Sequence, residues 1–431
     1  MKLRDKLGEL AGLSDEATRS LPHATGVSFH SDRVKKGNIF FALAGETSHG
    51  LRFADSALAK GAAFIVSDKP HPKSVEVDDP KEILLELGRW ARQEITSPVI
   101  GITGSAGKTS TKSFIAAVLD APKSPGNFNT PLALATTLIE HAIGPKCQKP
   151  LVLELGIDHP GEMDVLADIV KPTHAVLTLI AESHLHELKT LETVASEKVK
   201  LLQAAPYRLA STQAAHYIGN HIDSVLTYGL RPQQADYVGD YDKGMLTYKS
   251  VELKLPAFGK GMAANATAAL VVAEKLGIDL ATAAQRLERS TLEPGRLEEK
   301  QVGSAILLDD SYNSNPASAR QALEVLRTFP KPHTAILGDM LELGERSAAY
   351  HQTLGEQSCD IDKVLAIGPQ SRHIASGNPK ARYFASVQAA MPALRRIPLE
   401  GTILLKASRG MKFEDLIPIL GADTEKTELV G

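Results

Sequence analysis

Short continuous apolar runs alternate along this chain with longer stretches in which apolar residues recur every third or fourth position. Short runs bounded by turn residues read as buried strands, and the longer rhythm reads as helices with one apolar face. In residues 1–80 the pattern predicts strands at 38–43 and 63–66 and a helix at 53–60 closed by Gly61. The stretch 71–80, rich in Pro, Lys and Asp, reads as an exposed linker. Between 81 and 297 the alternation becomes regular, with strands at 99–103, 151–155 and 174–180 and helices at 108–119, 131–142, 161–170 and 191–204. After Gly295-Arg296 it restarts, with strands at 304–309, 333–338, 363–367 and 402–406 and helices at 316–328, 346–358 and 387–395. Strand–helix alternation implies βαβ units and mostly parallel sheets, so the expected class is α/β with units at 1–80, 81–297 and 298–431.

Composition narrows the function classes without naming one. A chain of 431 residues, 43% apolar and 23% charged, is long enough for two or three cores. A net charge of −3 gives no bulk attraction to nucleic acid or to a membrane surface, so positive charge for an anionic substrate must be concentrated locally. Cys147 and Cys359 lie far apart and outside any metal-ligand spacing, which argues against a disulfide framework and fits a reducing cytoplasm. The charged start, Met-Lys-Leu-Arg-Asp-Lys, lacks the apolar core of a signal peptide, and no apolar run is long enough to span a bilayer.

The sharpest chemical signal lies at 99–119, where the strand at Val99–Ile102 runs into Gly104-Ser105-Ala106-Gly107-Lys108-Thr109-Ser110 and then into a helical rhythm. Glycines let backbone N–H groups approach an anion, and the following helix N-terminus adds a partial positive charge. Lys108 is placed to reach the outer phosphates of a nucleotide, and the Thr109 hydroxyl is placed to ligate Mg²⁺. The common phosphate loop has a glycine where this chain has Ile102, so this is a shorter form of it. A bare Gly-Lys-Thr in a surface turn would mean little; the strand before it and the helix after it make nucleotide binding the expected role.

In open α/β sheets chemistry collects at the carboxyl ends of strands. Glu154 ends the run Leu151–Leu155, where a carboxylate either holds a metal or is satisfied by a lysine. His184 follows the strand at 174–180 at the same level, with His186 as its competitor; an isolated histidine is more often structural. Lys198, flanked by Glu197 and Lys200 on a helix, reads by itself as part of a solvated face. Asn265 either reads an adenine edge or caps a helix. Asp309-Asp310-Ser-Tyr312-Asn313-Ser-Asn-Pro316 ends a strand and opens a helix, and turn chemistry explains the Asn and Pro but not the paired acids.

Taken together these residues resemble the Mur ligases, ATP-dependent amide-forming enzymes of peptidoglycan precursor synthesis. Thr103–Thr109 resembles the family's phosphate loop, Leu153-Glu154-Leu-Gly with Gly161-Glu162 its metal-carboxylate segment, Ser183-His184 its metal-site histidine, and Glu197-Lys198 its carbamoylated lysine. Residues 309–316, 337–345 and 406–411 are similar to the branch that adds D-alanyl-D-alanine, and 40–46 to the domain that receives a UDP-sugar. A folylpolyglutamate-type ligase shares the short phosphate loop, but these segments and the unit before the loop argue against it. A catalytically idle nucleotide-binding partner would be expected to have lost Lys108, Thr109, Glu154, His184 or Lys198, and all are present.

The resemblance implies a small α/β N-terminal domain for the UDP substrate, a central P-loop-type ATP domain and a Rossmann-like C-terminal domain, in a monomeric cytoplasmic ligase that neither binds nucleic acid nor inserts into a membrane. Its implied substrates are ATP, UDP-N-acetylmuramoyl-tripeptide and D-alanyl-D-alanine, and its implied cofactor is Mg²⁺, as two ions. It implies catalytic roles for Lys108, Glu154, His184 and Lys198; metal contacts from Thr109, Glu154, His184 and carbamoylated Lys198; nucleotide contacts from 104–110, Asn265, Arg296, Asp310, Tyr312 and Asn313; and substrate contacts from Ser31, Asn127, Asn129, Thr130, Asp339 and Arg409. The chain departs from the family in places. His30-Ser31-Asp32 stands where much of the family has Asp-Ser-Arg, so only Ser31 carries over; the stretch 126–131 is a few residues shorter than usual; and Thr178-Leu179 and Gly261-Met262 replace the common Thr-Asn and His-Asn.

Overall fold

A computed structural model describes residues 2–45, 48–219 and 222–421. Glu46, which closes the 40–46 segment, and residues 422–431, assigned above to the last unit, lie outside the described residues. Among the described residues there are three sheets; the strands predicted from the sequence supply two of four in the first, three of eight in the second and four of six in the third.

The first sheet is parallel throughout and runs Gly26–Ser28, Asn38–Phe41, Phe64–Ser67, Ser74–Glu76 in spatial order. Its last strand corrects the reading of 71–80 as a linker. Val75 is buried against the core while its neighbours are not, and a single inward residue leaves no periodic trace in so polar a segment. Pro80 then opens a helix, Pro80–Glu94, whose N-cap Asp79 accepts from the Lys81 and Glu82 amides at 2.8 and 3.0 Å. This helix buries Leu84, Leu87 and Trp90 in one core shared by the first sheet and by one face of the central sheet.

The central sheet has eight strands: Val251–Lys254, Met245–Tyr248, Tyr237–Asp242, Leu226–Leu230, Tyr207–Ser211, His174–Leu177, Val99–Thr103 and Leu151–Glu154 in spatial order. The meander from 237 to 254 pairs antiparallel and the remaining pairs are parallel. Val99–Thr103 lies between Leu151–Glu154 and His174–Leu177, and the register sets Ile102 beside Glu154 and Thr103 beside Leu177. Three strand ends therefore open on one edge, directly below the loop at 104–107. The third sheet runs Glu298–Val302, Ala305–Asp310, Thr402–Lys406, His333–Gly338, Lys363–Ile367, Arg382–Phe384; only its first pair is antiparallel. Glu298–Val302 escaped the apolar pattern because it is an edge strand with only Val302 fully buried.

The helix Pro80–Glu94 meets Pro131–Ile143 at closest approach through Gly88, where a Cβ would lie 2.5 Å from the Ala135 Cβ. Gly→Ala inside a helix ordinarily gains up to about 1 kcal/mol. Here the sign reverses: Gly88→Ala destabilises the protein by about 1–3 kcal/mol, the usual cost of overpacking, read as a lower urea midpoint.

Candidate functional site

The loop after Val99–Thr103 is shaped by its glycines. Gly104 has φ +150° and Gly107 φ +83°, and a Cβ on Gly104 would collide with the Thr178 hydroxyl. The loop is anchored to the segment after His174–Leu177: the Ser105 amide donates to the Leu179 carbonyl at 2.6 Å, the Ser105 hydroxyl to Ala181 at 2.6 Å, and the Thr178 hydroxyl to Ala106 at 2.6 Å. Gly107 then caps the helix Lys108–Leu119, so the helix N-terminus faces the cleft. The Lys108 ammonium folds back onto the Gly104 carbonyl at 2.7 Å.

Glu154 sits under this loop and is 3% exposed, so its charge must be met by the protein. Thr109 donates to it at 2.9 Å, and the fully buried Lys112 ammonium lies 3.4 Å away. Burial alone would push the Glu154 carboxyl up; Lys108, Lys112 and Arg296 together outweigh that and hold it below the usual carboxylate range. Burial in turn pushes the Lys108 and Lys112 ammonium groups down. Lys112 carried no signal in the sequence, because a lysine four residues after Lys108 reads as helix surface.

The cleft above has a volume of about 640 Å³ and is walled by the central and third sheets. Arg296 crosses between them: its guanidinium donates to the Thr109 hydroxyl at 2.8 Å and lies 4.1 Å from the Tyr312 ring centroid. Asn315, the cap of helix Pro316–Leu326, reaches the Ser105 carbonyl at 3.1 Å. Asp310 pairs with buried Lys406 at 2.7 Å, and Lys406 also donates to the Asn313 carbonyl at 2.6 Å. Asn265 lies inside the helix Lys260–Lys275, whose cap is Gly259, so the capping alternative is corrected; its side chain rests against Gly107 and lines the cleft. Asn127, Asn129, Thr130 and Arg409 line the same cleft.

The remaining predicted residues are placed in different ways. His184 lines the cleft in a left-handed conformation at φ +53°, with its Nδ1 2.7 Å from Glu342 and 3.0 Å from Asp158, neither aligned as a hydrogen bond. Glu342 reaches it from the third-sheet unit, a pairing invisible in the sequence. His186, its competitor, is exposed and pairs with Glu187 at 2.8 Å. Lys198 is buried, which corrects the solvated-face reading; its neighbour Glu197 turns away to Lys200 at 2.7 Å and to the Gly161 amide at 3.0 Å. Burial, with the nearby Lys108 charge, brings the Lys198 ammonium down to about 7. Among the described residues no three His, Cys, Asp or Glu side chains converge as metal ligands. Ser31 opens a short turn in the first-sheet unit, away from the cleft lining. Asp339 does not reach the cleft either: it is buried, accepting from the Ser371 amide and hydroxyl at 2.7 and 2.6 Å and from the Gln370 amide at 3.1 Å.

Three family descriptions match consecutive parts of the chain: "Mur ligase family, catalytic domain" over 23–92, "Mur ligase middle domain" over 102–273 and "Mur ligase, glutamate ligase domain" over 295–409. The UDP-N-acetylmuramoyl-tripeptide–D-alanyl-D-alanine ligase of Bacillus subtilis is 30% identical over 427 residues, covering 91% of this chain and 92% of the relative. Among solved structures, MurF of Acinetobacter baumannii superposes with a TM-score of 0.84 at 25% identity, covering 97% of this chain and 98% of that one. MurF of Thermotoga maritima in complex with ADP gives 0.79 at 26% identity, covering 92% and 97%.

Asp339 is predicted to act on stability alone. Asp339→Ala strands buried donors at about 1–3 kcal/mol each, so the urea midpoint falls, while ADP affinity of the folded protein stays within about twofold of the parent.

Proposed function

The chain belongs to the Mur ligase family, and from that membership and the cleft we propose that it is an ATP-dependent ligase joining D-alanyl-D-alanine to UDP-N-acetylmuramoyl-tripeptide. The observation that carries this reading is the ionised Glu154 and the Thr109 hydroxyl beneath a phosphate loop, with Lys108, Lys112 and Arg296 around them. Such a site has a surplus of positive charge that a nucleotide triphosphate answers.

The terminal carboxylate of the tripeptide attacks the γ-phosphorus of ATP; the bond to the β–γ bridging oxygen breaks, leaving ADP and an acyl phosphate. The dipeptide amine then attacks the acyl carbon, loses a proton, and inorganic phosphate departs with the carbon–oxygen electron pair. Phosphorylation is needed because a carboxylate is a poor electrophile. Both anions approach one another in the first step, so preorganised positive charge is the main contribution of the protein. Lys108 and the loop amides hold the phosphates, and Arg296, braced on Tyr312, brings the third-sheet unit onto the nucleotide. Asn265, Asp310, Tyr312 and Asn313 are assigned to the nucleotide; Asn127, Asn129 and Thr130 to the muramoyl peptide; Arg409 to the dipeptide; and Ser31 to the UDP end. Closing the two units together shields the acyl phosphate from water.

Thr109 and Glu154 suit Mg²⁺: their oxygens are hard donors 2.9 Å apart, and Glu154 is charged. When bound there, Mg²⁺ supplies charge neutralisation at the β- and γ-phosphates. His184 and a carbamoylated Lys198 are assigned to a second Mg²⁺, which His184 would hold only on leaving Asp158 and Glu342. A buried lysine brought to about 7 offers a neutral amine to CO₂ near neutral pH, and the resulting carbamate is an anionic ligand. The same reading assigns the activity to the cytoplasm, where nucleotide-linked substrates of this kind are soluble, and to a monomer.

The deciding measurement is phosphate release with ATP, Mg²⁺, UDP-N-acetylmuramoyl-tripeptide and D-alanyl-D-alanine. Release that requires both peptide substrates is the expected result; release independent of either overturns the reading. For Lys198 the sign follows from its lowered pKa: the amine is mostly protonated at pH 6 and mostly neutral at pH 8. In CO₂-depleted buffer, CO₂ readmitted to the same dissolved concentration at both pH values should therefore restore activity faster at pH 8 than at pH 6. Lys198→Ala should lose about a hundredfold or more in kcat at every bicarbonate level, in the range of losing a charge-stabilising group. Undiminished turnover by that variant would remove Lys198 from the mechanism.

A further inference from the structure

The loop Pro125–Thr130 carries three of the side chains assigned to the acceptor, yet it has no regular secondary structure. It is held in two directions. On the central-sheet side its backbone is fixed: the Lys112 ammonium donates to the Gly126 carbonyl at 2.5 Å, and the Gly156 amide donates to the Asn129 carbonyl at 3.4 Å. On the other side a single residue reaches out. Phe128, the one large apolar side chain in the loop, is absent from the cleft lining although Asn127 and Asn129 flank it there. Its ring turns to the first-sheet unit, where the Arg33 guanidinium lies 4.3 Å from its centroid and the His30 ring 6.3 Å away. His30 is backed by Phe29 at 4.3 Å. Arg33 closes the turn Ser31–Arg33, whose Ser31 carbonyl is tied to Lys60 at 2.9 Å.

We propose that Phe128 and Arg33 are positioning residues: their cation–π contact sets the loop carrying Asn127, Asn129 and Thr130 over the nucleotide cleft, so the first-sheet unit controls acceptor affinity without touching the reacting atoms. The tightness of the loop is the physical reason. The Phe128 amide closes a turn on the Pro125 carbonyl at 3.0 Å, and Asn127 and Asn129 line the cleft on either side of a Phe128 that faces away, so few rotatable bonds separate the anchor from the side chains it places. Arg33 and His30 are exposed, and a contact of this kind at an exposed site corresponds to roughly two- to fivefold in an equilibrium constant. That suits a device that tunes affinity and leaves folding alone.

The inference rests on the acceptor reading above, and two measurements on the full chain separate their failures. The first needs no substrate: amide hydrogen exchange across 126–130 should quicken in Phe128→Leu and in Arg33→Met. Unchanged exchange in both overturns the proposal whatever the enzyme acts on. The second is steady-state kinetics with ATP, UDP-N-acetylmuramoyl-tripeptide and D-alanyl-D-alanine. Each variant should raise the tripeptide KM about two- to fivefold with kcat and the ATP KM within twofold. Arg33→Lys and Phe128→Trp, which keep a cation and a ring, should restore most of the affinity. The double variant Arg33→Met/Phe128→Leu should be no worse than the poorer single variant, as for two halves of one contact. A KM rise under twofold, a loss of melting temperature with unchanged KM, or effects that multiply in the double variant each overturn it, the last by showing that Arg33 touches the acceptor directly.

Discussion

One buried carboxylate organises this molecule. Glu154 cannot stay ionised at the end of a central strand unless cations come to it, and removing a charge from water without partners costs several kcal/mol. The chain brings them from two places: Lys108 and Lys112 from the helix after the phosphate loop, and Arg296 from the entry to the third-sheet unit. The cations repel one another and are themselves partly desolvated, which burial registers as lowered lysine pKa values. The arrangement is therefore incomplete in a definite way. It has more positive charge than Glu154 can answer, in a cleft whose floor is a helix N-terminus. That local excess beside a helix N-terminus is what the proposed nucleotide would answer.

The same cluster explains why the separate sheets behave as one machine. Arg296 and Asn315 join the third-sheet unit to the Thr109 hydroxyl and the Ser105 carbonyl, at the end of the loop and the start of its helix. Lys112 carries the link the other way, from Glu154 to the Gly126 carbonyl and so to the loop Pro125–Thr130. His184 faces Glu342 across the same division, so the structure shows this histidine engaged with the third-sheet unit. Direct contacts thus run from the charged centre to both sides of the cleft.

Much of this was legible along the chain. The strand, glycine loop and helix at 99–119 were predicted with their bounds almost unchanged, because three local signals agree there: a continuous apolar run, glycines at positive φ, and a helical apolar rhythm. Glu154 was legible because a carboxylate ending an apolar strand is conspicuous. Ser74–Glu76 and Glu298–Val302 were not, since edge strands bury too few residues to show a period. Lys112 and Lys198 were hidden for a related reason: a helical lysine looks like surface until the packing around it is known, and Lys198 rose above that reading only through family resemblance. Asp339 erred the other way, as a conspicuous acid in a distinctive segment whose oxygens are spent on the Gln370 and Ser371 amides.

By itself the amino-acid sequence determined the class, the strand, loop and helix at 99–119 and the identity of the central carboxylate, all properties of neighbouring residues whose side-chain periodicity and backbone freedom are local. Tertiary structure alone decided which cations surround Glu154, that Lys112 joins it to Gly126, that His184 meets Asp158 and Glu342, and that Phe128 leaves the cleft for Arg33. Those pairings join residues separated by tens to hundreds of positions. No local pattern encodes them, because each exists only once sheet register and helix packing have brought its two halves within a few ångströms.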